Sequence, residues 1–283
     1  RWEQSPPPQM AWIADHSERH DQSHNFRWII EADIKEFCEH LVHELRLEKR
    51  SAVNYSKTQK WLQASENAGD LIEKHFSANS ENKKINEFAL VRKLTHIIPE
   101  THCFFIGNSL PVRAVDMVGS EKGADIPTAL NRGASGIDGL IASACGYSSG
   151  MQKPVTLLIG DLSALHDLNS FKLLTDTPET VLLVLLNNHG GGIFSFLPVA
   201  QQTDIFEPFF AAPHNYNFRK ASSMFNLNYF NPGSISAFET DYLKALQANK
   251  SAVIEIISDR DKNPQYLESL RQKLVKSAFE SSL

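Results

Sequence analysis

Cysteine is scarce in this sequence, and its three copies, Cys38, Cys103 and Cys145, are far apart with no CxxC pair. An odd, scattered set excludes a disulfide framework and offers no zinc-ligand spacing, so a reducing, cytoplasmic setting is the expectation. Long apolar runs are absent too. Residues 181–186 form one of the most hydrophobic stretches, about a third of the roughly 20 residues a membrane-spanning helix requires, so a soluble chain is expected. Positive charge is not in excess: 28 Lys and Arg face 33 Asp and Glu, a net charge of −5. With no positive field to attract a polyanionic backbone, nucleic acid is not an expected partner. The sequence contains no internal repeat, and none of the patterns GxSxG, HExxH or GxxxxGK[ST], which sets aside the nucleophile-elbow, zinc-peptidase and P-loop chemistries. Its start, Arg1 to Pro8, has neither an initiator Met nor a charged-then-apolar leader, and reads as a cut end.

What is present is 42% hydrophobic residues over 283 positions, enough for one large domain and a small or partial second one. Up to about residue 85 the texture is polar and irregular. Strand candidates lie at 10–13 and 27–30, helix candidates at 34–47 and 55–76, and a polar linker at 77–84. These are too few strands to close a sheet, so 1–85 reads as the tail of a partial α/β domain. From residue 86 to 283, short apolar strands (103–106, 155–159, 181–186, 252–257) alternate with amphipathic helices (88–97, 137–147, 166–174, 218–225, 235–246, 264–274). That alternation predicts an α/β fold, a parallel sheet covered by helices.

The strongest chemical signal spans two of those strands. Gly160-Asp161-Leu162-Ser163 follows one directly, and Asn187-Asn188-His189-Gly190-Gly191-Gly192 follows the next. The 25 residues between Asp161 and Asn187 accommodate a loop, a crossover helix and a return strand. A right-handed βαβ unit would then bring both positions to the carboxyl edge of neighbouring strands, where ligands of open α/β sheets bind. An Asp carboxylate, an Asn amide oxygen and the Gly190 carbonyl are hard oxygen donors that suit Mg²⁺, with diphosphate oxygens and water completing its shell. The glycines would let the backbone approach a bulky ligand. Taken singly, Gly-Asp and Asn-Asn-x-Gly are ordinary turn sequences; it is the pairing at two strand ends that is specific.

The pattern from Gly160-Asp161 to Asn187-Asn188 resembles the thiamin diphosphate motif. The run Gly160-Asp161-Leu162-Ser163-Ala164-Leu165-His166-Asp167-Leu168-Asn169, with Leu162 where most such enzymes have glycine, is similar to one branch, the MenD family of 2-succinyl-5-enolpyruvyl-6-hydroxy-3-cyclohexene-1-carboxylate synthases. Gly107-Asn108-Ser109-Leu110-Pro111-Val112-Arg113 and Asn131-Arg132-Gly133-Ala134-Ser135-Gly136-Ile137-Asp138-Gly139 agree with it.

The resemblance implies a thiamin diphosphate-binding fold, with 86–283 as the diphosphate-binding domain and 1–85 as the end of a middle domain. It implies a carboligase of menaquinone biosynthesis that decarboxylates 2-oxoglutarate and adds the resulting unit to isochorismate. Asp161, Asn188 and the Gly190 carbonyl would hold Mg²⁺ or Mn²⁺; Gly160, Leu162, Ser163, Gly191, Ile193, Phe194 and Leu197 would line the cofactor, with Ile193 propping it between its rings. Ser109, Arg113 and Arg132 would line the substrate pocket, the guanidinium being the group that grips carboxylates through paired hydrogen bonds. The activating glutamate comes from a pyrimidine-binding domain with no counterpart in these residues. The chain alone is therefore expected to be inactive and without a catalytic residue of its own, and the full-length protein to be a homodimer or homotetramer.

Alternatives are another thiamin-dependent 2-oxoacid decarboxylase or acetohydroxyacid-type synthase, sharing Asp161 and Asn188, or a non-catalytic diphosphate-binding or assembly domain. Burial of Phe194 and Leu197 is expected whether they serve a cofactor or only packing. Among the histidines, His16, His20 and His24 read as a solvated loop, while His102, His166 and His214 have no evident partner. Cys103 and Cys145 read as small core residues.

Overall fold

The computed structural model describes residues 9–18, 24–47, 55–77 and 85–280; the expected linker at 77–84 and His20 lie almost wholly or wholly outside them. The chain divides into two compact units, Arg1–Lys60 and Trp61–Leu283. In the first, β1 (Ala11–Ala14) pairs in parallel with β2 (Trp28–Glu31), and α1 (Ile34–Leu47) follows. Asp33 Oδ1 accepts the Glu36 N–H at 2.9 Å, starting α1 where the sequence placed it. Helix α2 (Tyr55–Ser77) begins in the first unit and continues into the second.

The second unit is a six-stranded, all-parallel sheet of order β4-β3-β5-β6-β8-β7. Its strands are β3 (Cys103–Ile106), β4 (Thr128–Ala129), β5 (Val155–Gly160), β6 (Val181–Asn187), β7 (Asn228–Phe230) and β8 (Ala252–Ile257). The seven residues of β6 are all buried because both sheet faces are covered, which is why the strand reads as an unbroken apolar run. Alternate residues go to opposite faces. Leu182, Val184 and Leu186 meet α3 (Glu87–Ile97), α4 (Leu110–Val118), α10 (Ile235–Ala248) and α11 (Asn263–Glu280), whereas Val181, Leu183 and Leu185 meet α5 (Leu140–Met151), α6 (Asp161–His166) and α7 (Phe171–Asp176). Cys103 and Cys145 are buried in the second layer, as expected of small core residues.

Where the elements depart from the sequence reading, tertiary bonds explain it. The single helix expected at 166–174 is broken into α6, a short 3₁₀ turn and α7, because Asp167 is drawn inward. Its Oδ2 accepts the N–H groups of Ile141 and Ala142 at 2.7 and 3.1 Å, capping α5, and its Oδ1 accepts the Ser170 hydroxyl. Helix α5 starts at Leu140 rather than 137, after Gly139 at φ +65°. Helix α4 and strands β4 and β7 were not foreseen. The buried Arg92 on α3 donates to the carbonyls of Val118 and Gly119, closing the end of α4, and pairs with Glu73 of α2 at 3.1 Å.

Helix α4 leaves β3 over one sheet face, while α6 and α7 leave β5 over the other. The carboxyl edge between β3 and β5 is therefore a topological switch point, a crevice with a helix turning away on each side. The remaining elements are two 3₁₀ turns (Gly192–Phe196 and Pro198–Gln201), α8 (Thr203–Phe206), a π-helical turn (Glu207–Ala211) and α9 (Arg219–Met224). No helix among the described residues is long and apolar enough to cross a membrane.

His102, given no partner by the sequence, is buried just before β3 with Nδ1 3.2 Å from Thr156 Oγ1, which in turn meets the buried Tyr242 hydroxyl at 2.7 Å. Burial pushes the His102 imidazole down from 6.5 to about 4. Between those values the unfolded chain binds more protons than the folded one, so this stabilisation is complete above pH 6.5 and is lost as pH falls towards 4. The urea midpoint should fall across that window, and His102→Gln, which cannot titrate, should flatten the fall; equal slopes in the two proteins would refute the assignment.

Candidate functional site

The register of β5 against β6, with Gly160 opposite Leu186, delivers Asp161 and Asn188 to one end of the sheet. Asp161 opens α6 and is 2% exposed; Asn188 follows the last residue of β6 and is 8% exposed. Asp161 is held on both oxygens: Oδ1 accepts the Leu162 N–H at 2.7 Å, and Oδ2 accepts the Gly190 N–H at 3.0 Å. His214 adds a third approach, its Nε2 lying 3.2 Å from Asp161 Oδ2 with both side chains buried. His214 Nδ1 accepts the Tyr216 N–H at 3.2 Å, while its Nε2, close to the carboxylate, makes no hydrogen bond among the described residues.

The glycine run is required at the positions where the backbone crowds. Gly190 has φ +147°, and a Cβ there would lie 2.4 Å from the Ala211 carbonyl oxygen; a Cβ on Gly192 would lie 2.6 Å from Asn188 Nδ2. His189, just before the run, sits at φ +62°, and its carbonyl accepts from Arg260, whose Nη2 also donates to both carboxylate oxygens of Glu207 at 2.6 Å. The loop is thereby tied to the π-helical turn.

A cavity of about 130 Å³ opens at this edge, lined among others by Ser109, Gly160, Asp161, Leu162, Ser163, Asn188, Gly191, Ile193 and Phe194. Nine of the residues predicted for the site thus meet in one place. An adjoining, more apolar cavity of about 460 Å³ is lined by Arg113, Ile193, Phe194 and Leu197 with Leu110, Met117, Phe196 and Leu267. Arg132 lines neither, but its Nη1 reaches Asn108 Oδ1 at 3.2 Å, and Asn108 in turn donates to the Gly136 carbonyl. Arg113 Nη1 donates to the Ser109 carbonyl at 2.7 Å. Among the described residues neither arginine forms an ion pair, and both are exposed. Ser109, at φ +70°, is the strained residue from which α4 departs.

Two expectations are corrected. Phe194 and Leu197 are not buried: they are 36% and 48% exposed, because the 3₁₀ turn after the glycines lies at the cavity mouth. His214 was thought partnerless and instead faces Asp161. The sequence also gave no hint of Glu87, the first residue of α3, which is fully buried with Oε1 accepting from Asn188 Nδ2 at 2.9 Å and Ser258 Oγ at 2.5 Å. An acid in the first turn of a helix is ordinarily a solvated partner of the helix dipole, so composition and periodicity conceal this one. Burial pushes its carboxyl above the usual range; the bonds from Ser258 and Asn188 oppose the shift, and the nearby Asp161 charge adds to it.

The arrangement suits a small hard cation. Among the described residues no three His, Cys, Asp or Glu side chains gather to hold a metal, but the donors here are of another kind. Asn188 Oδ1 is buried with no hydrogen-bond partner among the described residues, an acceptor left open beside two buried acids. Gly190 O accepts one N–H, from Gly192 at 3.0 Å, and a carbonyl retains a second lone pair.

No family model matches the chain. It is 42% identical over 257 residues to the 2-succinyl-5-enolpyruvyl-6-hydroxy-3-cyclohexene-1-carboxylate synthase of Rubrobacter xylanophilus, covering 91% of this chain and 43% of that protein. It is 38% identical over 271 residues to the synthase of the same name from Prosthecochloris aestuarii, covering 95% and 44%. The chain spans less than half the length of the curated relatives it matches. Among solved structures, benzoylformate decarboxylase from Polynucleobacter necessarius superposes with a TM-score of 0.54 at 17% identity, over 64% of this chain and 34% of that one, a likeness of fold.

Gly190→Ala would force a side chain into positive φ against the backbone oxygen of Ala211, for which about 1–3 kcal/mol of destabilisation is expected. Urea denaturation measures it; an unchanged midpoint would show that the loop does not hold this close approach.

Proposed function

Since the chain belongs by sequence to the 2-succinyl-5-enolpyruvyl-6-hydroxy-3-cyclohexene-1-carboxylate synthase family over nine tenths of its length, we propose that it forms the diphosphate-anchoring part of such a carboligase. The reading assigns residues 86–283 to a diphosphate-binding domain and 1–85 to the end of a middle domain. Its substrates are 2-oxoglutarate and isochorismate, its cofactor is thiamin diphosphate with Mg²⁺ or Mn²⁺, and its pathway is menaquinone biosynthesis. The observation that carries it is the open, buried Oδ1 of Asn188 beside Asp161 at the switch-point cavity.

In this reading Asp161, Asn188 Oδ1 and the Gly190 carbonyl would hold the metal, whose positive charge would favour a diphosphate at this edge. When bound, thiamin diphosphate supplies the electron sink that decarboxylation of a 2-oxo acid requires. This chain's residues bind and orient. The Leu162 and Gly190 N–H groups fix the Asp161 carboxylate, with His214 Nε2 3.2 Å from its Oδ2. Gly160, Ser163 and Gly191 leave room along the diphosphate, while Ile193, partly buried on the core, presents the bulk that props the cofactor. Arg113 and Arg132, exposed and free of ion pairs among the described residues, are available to substrate carboxylates, and Ser109 lines the cavity that holds Asp161 and Asn188. Phe194 and Leu197 wall the apolar side. They, with Met117, offer the surface that the remainder of a homo-oligomeric synthase would cover. The group that activates the cofactor is assigned to a domain beyond these 283 residues, so the chain alone binds the cofactor weakly and does not turn over.

Isothermal titration of this chain with thiamin diphosphate should show binding that requires Mg²⁺ and disappears in Asp161→Ala; tight binding without metal would sink the anchoring model. In the full-length synthase, Arg132→Lys should lower kcat or raise the KM for a carboxylate substrate, since a lysine cannot reproduce the paired hydrogen bonds. Unchanged values of both would remove Arg132 from the substrate pocket.

A further inference from the structure

We infer that Glu87 is a positioning residue that decides which end of the Asn188 amide meets the cation, an inference that rests on reading Asn188 as a metal ligand. An asparagine amide is nearly symmetric in shape, and only its hydrogen-bond partners distinguish the oxygen from the NH₂ group. Glu87 Oε1 accepts from Asn188 Nδ2 at 2.9 Å and from the Ser258 hydroxyl at 2.5 Å. With two donors aimed at it, that oxygen is an acceptor. Turning the Asn188 amide over would set two acceptors face to face where Glu87 is fully buried and Asn188 is 8% exposed, an arrangement that leaves buried polar atoms unsatisfied.

The correct orientation puts Oδ1 towards the open site, where it has no partner among the described residues. The inverted one would present N–H hydrogens to the metal and repel it. The other two contacts hold the frame still. Ser258 N donates to the Asn187 carbonyl at 2.9 Å, fastening the Glu87 partner to the strand end that carries Asn188, and Gly192 leaves the space in which the amide lies. With Oε1 accepting from both neighbours, Glu87 permits one amide orientation. A carboxamide there could pair with Asn188 either way round, because each side chain then carries both a donor and an acceptor.

The test is a double-mutant cycle on the whole chain, with Mn²⁺ binding followed by electron paramagnetic resonance in the presence of thiamin diphosphate, and each protein's urea midpoint recorded to separate loss of fold from loss of metal. Glu87→Gln, equal in shape, should weaken Mn²⁺ binding about ten- to a hundredfold, the range seen when groups that orient metal ligands are removed. In the Asn188→Asp background the sign should reverse. There the carboxylate introduced accepts at both ends, and Glu87→Gln, by donating to it, should strengthen binding relative to Asn188→Asp alone. A residue that merely supports the fold would weaken binding in both backgrounds. Equal affinity of Glu87→Gln and the unmutated chain, or weakening in both backgrounds, overturns the role of Glu87. An unmutated chain that takes up no Mn²⁺ with thiamin diphosphate removes the ligand reading itself, and this inference with it.

Discussion

Six consecutive residue pairs, from Val155 opposite Val181 to Gly160 opposite Leu186, lock β5 to β6, and the rest of the site depends on that register. A slip of one residue would exchange the two faces of a strand buried on both sides. It would also carry Asn188 away from the level of Asp161. The register is secured mainly by packing: every residue of β6 is buried, and its neighbours on β5 and β8 are aliphatic apart from Gly160 and the buried Thr156 and Glu255, the last of which accepts from Asn187 Nδ2 at 2.6 Å. The site's accuracy is thus inherited from the centre of the sheet, the part of such a fold that opens least.

Around that fixed edge, the electrostatics are arranged for something positive. Two acids, Glu87 and Asp161, are buried close enough for the charge of one to raise the carboxyl of the other. Asp161 is met by backbone N–H groups and by His214, and Glu87 by an amide and a hydroxyl. The backbone N–H groups, the Asn188 amide and the Ser258 hydroxyl reduce the cost of burying these carboxyls and bring no positive charge of their own. A cation in the cavity that Glu87, Asp161 and Asn188 line would supply it, and Asn188 Oδ1, buried there, has no partner among the described residues.

Much of this was legible in the sequence because local pattern and tertiary demand agree. β3 and β8 have the bounds their apolar runs suggest, and Asp161 and Asn188 fall at two adjacent strand ends because the crossover between them has the length of one βαβ unit. What was not legible is long range. Glu87 lies 101 residues from Asn188 and 171 from Ser258, and an acid at a helix start has the same local signature whether solvated or buried. His214 sits in a polar loop that nothing local ties to Asp161. The break at Asp167 escaped notice because its cause is the N-terminus of another helix, α5. Short β4 and β7 have too few residues for a period to show.

Helix α3 touches both walls of the crevice. Its first residue, Glu87, holds the strand end that carries Asn188, and Arg92, five residues on, holds the far end of α4, the helix that departs from Ser109. At 1.5 Å per residue these two grips stand about 7.5 Å apart along a single rod. The width of the crevice is therefore gauged by one rigid ruler rather than by the loops that line it. A displacement of that rod would be felt at both jaws together.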